Sequence, residues 1–151
     1  MHPELSKRLV IAQLEEAVAE PGLFTDRVQL EEVGYPNFFV RFINKNEAIR
    51  LIRFESTNYD YQAIAVEPVN PVNREPLPTD QWMLRNGGGF PNHDMKGGRP
   101  FLCFQGTRDY YTMDGHRPNI TGERWERWRN EFRIPDLIRF LKNKIASGEW
   151  E

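Results

Sequence analysis

The sequence contains only one cysteine and three histidines among its 151 residues. A single cysteine excludes a disulfide within the chain, and with it the disulfide-stapled scaffolds of small secreted proteins. No apolar run approaches the roughly 18 residues of a membrane-spanning helix. The acidic residues in the first twenty positions also differ from the pattern of a secretory signal. We therefore expect a protein of the reducing cytosol that has no membrane partner.

The chain also lacks an excess of basic charge, with 20 Lys and Arg against 22 Asp and Glu. Proteins that bind nucleic acids usually present a basic surface to the phosphates, so we do not expect a nucleic-acid partner. Aromatic residues are plentiful, at 13%, and a chain of this length can bury roughly 70% of its unfolded surface. The composition predicts a single folded domain over residues 1–151.

Hydrophobic periodicity predicts an α+β fold. Apolar residues three and four positions apart between Leu5 and Val18 predict an amino-terminal helix that ends at Pro21 and Gly22. Four short runs rich in Val, Ile and Phe predict a four-stranded antiparallel meander over residues 27–33, 38–44, 48–54 and 62–69. A long irregular loop over 68–100 and carboxy-terminal helices, at 123–130 and from Ile134 onwards, complete the predicted order.

Cys103 is the residue with the greatest potential for chemistry. It lies between Leu102 and Phe104, and a cysteine in apolar surroundings is commonly an inert buried side chain. His93 lies ten residues before it, and Asp109 and His116 lie six and thirteen residues after it. A nearby imidazole would lower the pKa of the thiol, and a carboxylate could orient that imidazole or accept a proton. The sequence leaves both interpretations open.

The same side chains allow a zinc site as an alternative chemistry, because thiolate, imidazole and carboxylate are the usual zinc ligands. The alternative ligands are Cys103, His93, Asp109 and His116. Structural zinc sites usually include at least one closely spaced pair of ligands, and none of these residues forms such a pair. No cofactor is expected if the thiol is reactive, and zinc is the alternative.

The order of the predicted parts is distinctive. An amphipathic helix, a meander, a proline-rich loop with Pro91-Asn92-His93, the segment from Gly98 to Cys103, a tryptophan and a carboxy-terminal helix follow one another. This order resembles the ubiquitin-conjugating enzyme fold over most of the chain. The tripeptide of that family is His-Pro-Asn, whereas here the order differs and Asn92 lies eleven residues before Cys103. The resemblance implies that Asn92 and His93 line the mouth of a catalytic site.

The stretch from Cys103 to His116 carries a second resemblance. It is similar to a bacterial domain named for a Cys, a Glu and two His, which occurs beside bacterial ubiquitin-like modifiers and has been predicted to bind metal. Cys103 and His116 match two of the four positions, Asp109 stands in for the Glu, and Tyr111 replaces the first His. Since the tyrosine removes a good zinc ligand, a thiol-based transfer centre is favoured over a four-ligand zinc site.

Together the resemblances imply a conjugating enzyme of a bacterial ubiquitin-like pathway. Cys103 would accept the carboxy terminus of a ubiquitin-like protein from an activating enzyme as a thioester, and would pass it to an amine or hydroxyl. Asp109 or His116 would desolvate the incoming nucleophile, and Lys7 and Arg8 would help to dock the activating enzyme. A zinc-binding accessory protein of the same pathway and a non-catalytic binding module with the same fold are the alternatives.

Overall fold

The computed structural model describes residues 2–78, 81, 104–112 and 124–148. Its elements are α1 (Pro3–Ala19), β1 (Val28–Gly34), β2 (Asn37–Ile43), β3 (Ile49–Glu55), β4 (Ala65–Val69), α2 (Arg108–Thr112), α3 (Trp125–Trp128) and α4 (Ile134–Ala146). The strands form one antiparallel sheet in the order β1-β2-β3-β4. The predicted α+β fold, with an amino-terminal helix, a four-stranded meander and carboxy-terminal helices, is confirmed.

One face of the sheet forms the core together with α1 and α4. Side chains alternate along a strand, so β2 sends Phe38, Val40 and Phe42 to this face, where all three are buried. In β3, Ile52 and Phe54 lie opposite Val40 and Phe38. The rings of Phe38 and Phe54 stack with their centroids 4.7 Å apart. The alternation read from the sequence is therefore what builds the core.

Three acidic residues, Glu15, Glu16 and the C-cap Glu20, lie at the carboxy-terminal end of α1, where the helix dipole disfavours them. Two of them are paired with arginines at α4. Arg133 donates hydrogen bonds of 2.7 and 2.8 Å to the carboxylate of Glu16, and Arg139 donates to Glu20. The hydrogen bond from Arg133 holds the pKa of Glu16 below its ordinary value. This part of the acidic surface of α1 thus serves contacts within the chain.

The carboxy-terminal helices close the core. α3 is shorter than the predicted span of 123–130; its Trp125 is buried and donates from the indole nitrogen to the carbonyl of Asp60 at 2.7 Å. α4 begins as predicted at Ile134, and the Asp136 carboxylate caps it by accepting from the backbone N–H of Arg133 at 2.9 Å.

The other differences concern loops. β4 begins three residues later than predicted, because the backbone N–H of Gln62 donates to the carbonyl of Asn58 and closes a turn there. Most of the predicted loop over 68–100 lies outside the described residues.

Within the described ranges, none of the helices has the length and apolar character needed to cross a membrane.

Candidate functional site

The structure describes one of the five predicted catalytic residues. Asp109 lies in the first turn of α2 and is half-buried. Cys103, Asn92, His93 and His116 lie outside the described residues. The described part of the candidate site is therefore residues 104–112, which begin directly after the thiol and which we call the post-cysteine segment.

The post-cysteine segment starts in the core. Phe104 is only 6% exposed, and its ring stacks on that of Phe140 in α4 with centroids 4.9 Å apart. The hydroxyl of Thr107, which is fully buried, donates to the carbonyl of Phe104 at 2.7 Å. The backbone that follows Cys103 is thus held against α4.

Gly106 makes the turn of the segment. Its φ is +99°, a conformation that L side chains rarely adopt. A Cβ at this position would lie 2.6 Å from a methyl carbon of Leu137 and 2.9 Å from the Cβ of Phe132. The backbone N–H of Gly106 donates to the hydroxyl of Tyr111 at 3.2 Å. The segment lies directly against Phe132 and Leu137 at this turn, so only glycine fits there.

A parallel bridge then joins the segment to the entry of β4. Thr107 pairs with Ile64, and the backbone N–H of Arg108 donates to the carbonyl of Ile64 at 2.7 Å. Because this bridge and the contact with Phe140 lie within four residues of each other in the segment, the path of the chain after Cys103 is fixed at two places.

The Arg108 side chain adds a third attachment. Its guanidinium forms an ion pair of 2.7 Å with Glu55 at the end of β3, and it donates to the carbonyls of Thr57 and Ala63, at 3.1 Å each. Burial alone would raise the pKa of Glu55, but hydrogen bonds from Thr57 and Arg108 outweigh burial and hold that pKa below its ordinary value. Glu55 is therefore an ionised partner for Arg108 at neutral pH.

Tyr111 occupies the position that the second resemblance gives to a histidine. Its ring lies 5.5 Å from that of Trp125 and 5.1 Å from that of Tyr110, between centroids. Its hydroxyl accepts the hydrogen bond from Gly106. Tyr111 therefore supports the turn of the post-cysteine segment.

Of the four alternative zinc ligands, only Asp109 is described. In the ranges that the structure covers, no three His, Cys, Asp or Glu side chains come together as a metal site. Lys7 and Arg8, the residues predicted to dock an activating enzyme, are both exposed in the first half of α1.

No local pattern in the sequence predicts the contact between Arg108 and Glu55, because the two residues are 53 positions apart. Arg108 was recognisable only as a charged neighbour of Asp109. No model of a known protein family matches the chain, and no curated protein matches it either.

The pair of Arg108 and Glu55 leads to a prediction about stability. We expect Glu55→Gln to lower the free energy of unfolding by about 1–2 kcal/mol at pH 7, because a charge-assisted hydrogen bond at a partly buried site becomes a neutral one. Since the folded-state pKa of Glu55 is depressed, its contribution is fully present above the unfolded-state pKa of about 4.3 and is lost as pH falls through the lower folded-state value. Urea unfolding at pH 7 and in acid measures both effects.

A suitable control for this prediction is Glu47→Gln, which removes an ion pair with Arg27 in which the Glu47 side chain is 73% exposed. That change should cost under about 0.5 kcal/mol. Equal costs for the two variants at pH 7, or a cost for Glu55→Gln that does not shrink in acid, would contradict the role given to Glu55.

Proposed function

We propose that this chain is a conjugating enzyme for a ubiquitin-like protein, with Cys103 as the thioester-forming residue. The observation that carries the proposal is the anchoring of the post-cysteine segment, through Phe104 on α4, the turn at Gly106 and Arg108 on Glu55. Covalent transfer between proteins needs a nucleophile on a rigid support, since misplacement by about 1 Å can cost a hundredfold in rate. A segment tied down at three places within five residues supplies such a support.

The proposed reaction consists of two acyl transfers and needs no cofactor. In the first, the Cys103 thiolate attacks the carbonyl carbon of the thioester between the modifier and the activating enzyme. A new C–S bond forms, and the activating enzyme leaves as a thiolate. In the second, an amine nitrogen or a hydroxyl oxygen attacks the carbonyl carbon of the Cys103 thioester. A C–N or C–O bond forms, the C–S bond breaks, Cys103 leaves as a thiolate, and the attacking group loses a proton. A thiolate serves well in both steps because it both attacks and leaves readily.

The remaining candidate residues have roles around this sulfur. Asp109, six residues after Cys103 and on the first turn of α2, is our candidate for accepting the proton of the incoming amine or for desolvating it. His116 is the second candidate for that role. Asn92 and His93 would line the mouth of the site.

The proposal also specifies partners and a compartment. Lys7 and Arg8 present exposed positive charge on α1, which would suit an acidic surface of the activating enzyme. The chain holds a single cysteine, and a thiol that must stay reduced between reaction cycles fits the cytosol.

Reconstitution tests the proposal directly. The chain is incubated with ATP, a ubiquitin-like protein and the activating enzyme that loads that ubiquitin-like protein. We expect an adduct that carries one modifier and that a reductant releases. Cys103→Ala should form none, and Cys103→Ser should form no reductant-sensitive adduct. Asp109→Asn should load at the wild-type rate but transfer to a free amine at least about tenfold more slowly. Absence of a reductant-sensitive adduct, or its persistence in Cys103→Ala, would overturn the proposal.

Two measurements separate the alternatives. Because Cys103 is the only cysteine, iodoacetamide reports on that one thiol, and rapid labelling of the folded protein would argue against a packed, inert side chain. One zinc per chain in purified protein, with a protected thiol, would support the zinc-binding accessory protein instead. A protected thiol without zinc would support the non-catalytic binding module.

A further inference from the structure

A groove runs between α1 and β1, on the opposite side of α1 from its ion pairs with α4. Its first part is an apolar cavity of about 320 Å³ that extends along α1 to Val18 and Ala19. Its second part, of about 360 Å³, continues past Lys7 to the turn between β1 and β2. Ile11 and Val33 line both parts, so that the groove is continuous.

The walls of this groove expose apolar side chains to solvent. Ile11, Val18 and Val33 are 39%, 61% and 48% exposed. Isolated exposed apolar residues are ordinary, but a contiguous group of them around a cavity is typical of an interaction site. Glu31 and Glu32, at the irregular pairing in β1, make addition of a further strand to that edge unfavourable. The groove is therefore suited to a helix.

The groove carries one charge on each side of Ile11. Lys7 lies four residues before Ile11 and Glu15 lies four residues after it, and both line the groove. Each is displaced from Ile11 by about 6 Å along the helix axis. Within the described part of the chain neither has an ion-pair partner, in contrast to Glu16 on the same helix and Glu20 at its C-cap.

We propose that a second copy of this chain covers the groove, with the two α1 helices antiparallel and crossing at Ile11. The charge pattern carries the proposal because it is complementary to itself. Lys7 and Glu15 are equidistant from Ile11, so a twofold rotation at Ile11 places Lys7 of each copy beside Glu15 of the other and forms two identical ion pairs. A partner of another sequence would require no such symmetry.

The geometry of α1 permits this contact. Lys7, Ile11 and Glu15 form one row of residues four apart, and the packing of two such rows gives the commonest helix crossing, near −50°. Antiparallel helices also bring opposite dipole ends together. One helix pair contributes less than the roughly 800 Å² per partner of a standard interface, so we expect a weak dimer with a Kd above about 10 µM.

The proposal goes beyond the proposed function and does not depend on Cys103. The second copy would cover Lys7, a residue that the proposed function gives to the activating enzyme, so self-association and loading would compete. Thioester formation measured below the dimer Kd tests the enzyme alone, so that either proposal can fail without the other.

Sedimentation equilibrium of the full chain, from about 5 µM to 1 mM, tests the dimer. Lys7→Glu and Glu15→Lys each place like charges at both contacts, and each should raise the Kd at least about tenfold. The double variant Lys7→Glu/Glu15→Lys restores both pairs with reversed sign and should return the Kd to within about threefold of wild type. An equimolar mixture of the two single variants should form heterodimers. Glu126→Lys is the control for Glu15→Lys. It makes the same change of charge at an exposed position on α3 and should leave the Kd unchanged.

A chain that stays monomeric across this range overturns the proposal, and so does a dimer that is insensitive to both single variants. A double variant that remains as weak as the single variants also overturns it, because the Lys7 and Glu15 charges would then not meet. Protection of the groove by the activating enzyme in a chain that does not dimerise would overturn it in favour of a different partner.

Discussion

Gly106→Ala is expected to lower the free energy of unfolding by about 3–5 kcal/mol, a large part of the stability of a domain of this size. Two costs add. The φ of +99° is unfavourable for any L side chain, and the new methyl group would lie 2.6 Å from Leu137 and 2.9 Å from Phe132. Both neighbours belong to the packing around α4, so neither can yield freely. Urea unfolding followed by tryptophan fluorescence measures the loss.

Two other glycines separate these costs. Gly22 has a φ of +77°, but no atom would lie within 4 Å of a Cβ at this position. Gly22→Ala therefore reports on the backbone alone and should cost about 1–2 kcal/mol. Gly34 has neither a positive φ nor a close neighbour, so Gly34→Ala should stay within about 1 kcal/mol of wild type. If Gly106→Ala cost no more than Gly22→Ala, the close approach of the post-cysteine segment to α4 would be disproved.

If the proposed function holds, Gly106→Ala should also reduce thioester formation more steeply than the folded fraction falls. The substitution moves the backbone three residues from Cys103, and transfer rates are sensitive to small displacements of the nucleophile. Loading per folded molecule, with the folded fraction taken from the same fluorescence signal, separates this effect from unfolding. A constant loading rate per folded molecule would show that the turn does not position the thiol.

The sheet could be predicted from the sequence because its pattern is local. Alternation along β2 sends Phe38, Val40 and Phe42 to the core, and that period of two is visible without any knowledge of partners. The first three strands begin and end within a residue of their predicted positions. The start of β4 was missed because the turn closed by Asn58 and Gln62 follows from backbone hydrogen bonds, which residue types alone do not reveal.

The site could be predicted only in part, since its attachments join distant positions. α2 has five residues, too few to show a helical period. Arg108 reaches Glu55 across 53 positions, and Arg133 reaches Glu16 across 117. Such pairs depend on the packing of α1, β3 and α4 rather than on any local pattern. Cys103 stood out in the sequence by its chemistry, whereas the support behind it became visible only in the fold.

Gln13 illustrates a polar residue that the sequence pattern hides. It lies on the buried face of α1 beside Val10, Leu14 and Ala17 and is itself only 3% exposed. Its side-chain oxygen accepts two hydrogen bonds, from the Tyr59 hydroxyl at 2.8 Å and from the backbone N–H of Ile134 at 2.9 Å. Burial raises the pKa of Tyr59, so that its hydroxyl remains a donor at any physiological pH. One oxygen thus joins α1, the loop before β4 and the start of α4.

Gln13→Leu should therefore lower the free energy of unfolding by about 2–4 kcal/mol, because two buried donors lose their acceptor while the side-chain volume changes little. Tyr59→Phe removes one of those donors and should cost about 1 kcal/mol alone. The double variant should cost less than the sum of the two by about 1 kcal/mol, because no Tyr59 hydroxyl then remains unpaired. Urea unfolding of the wild type, the two single variants and the double variant measures this coupling energy. Additive costs would mean that the two side chains are not coupled, and the link between α1 and the loop would have to be assigned to apolar packing instead.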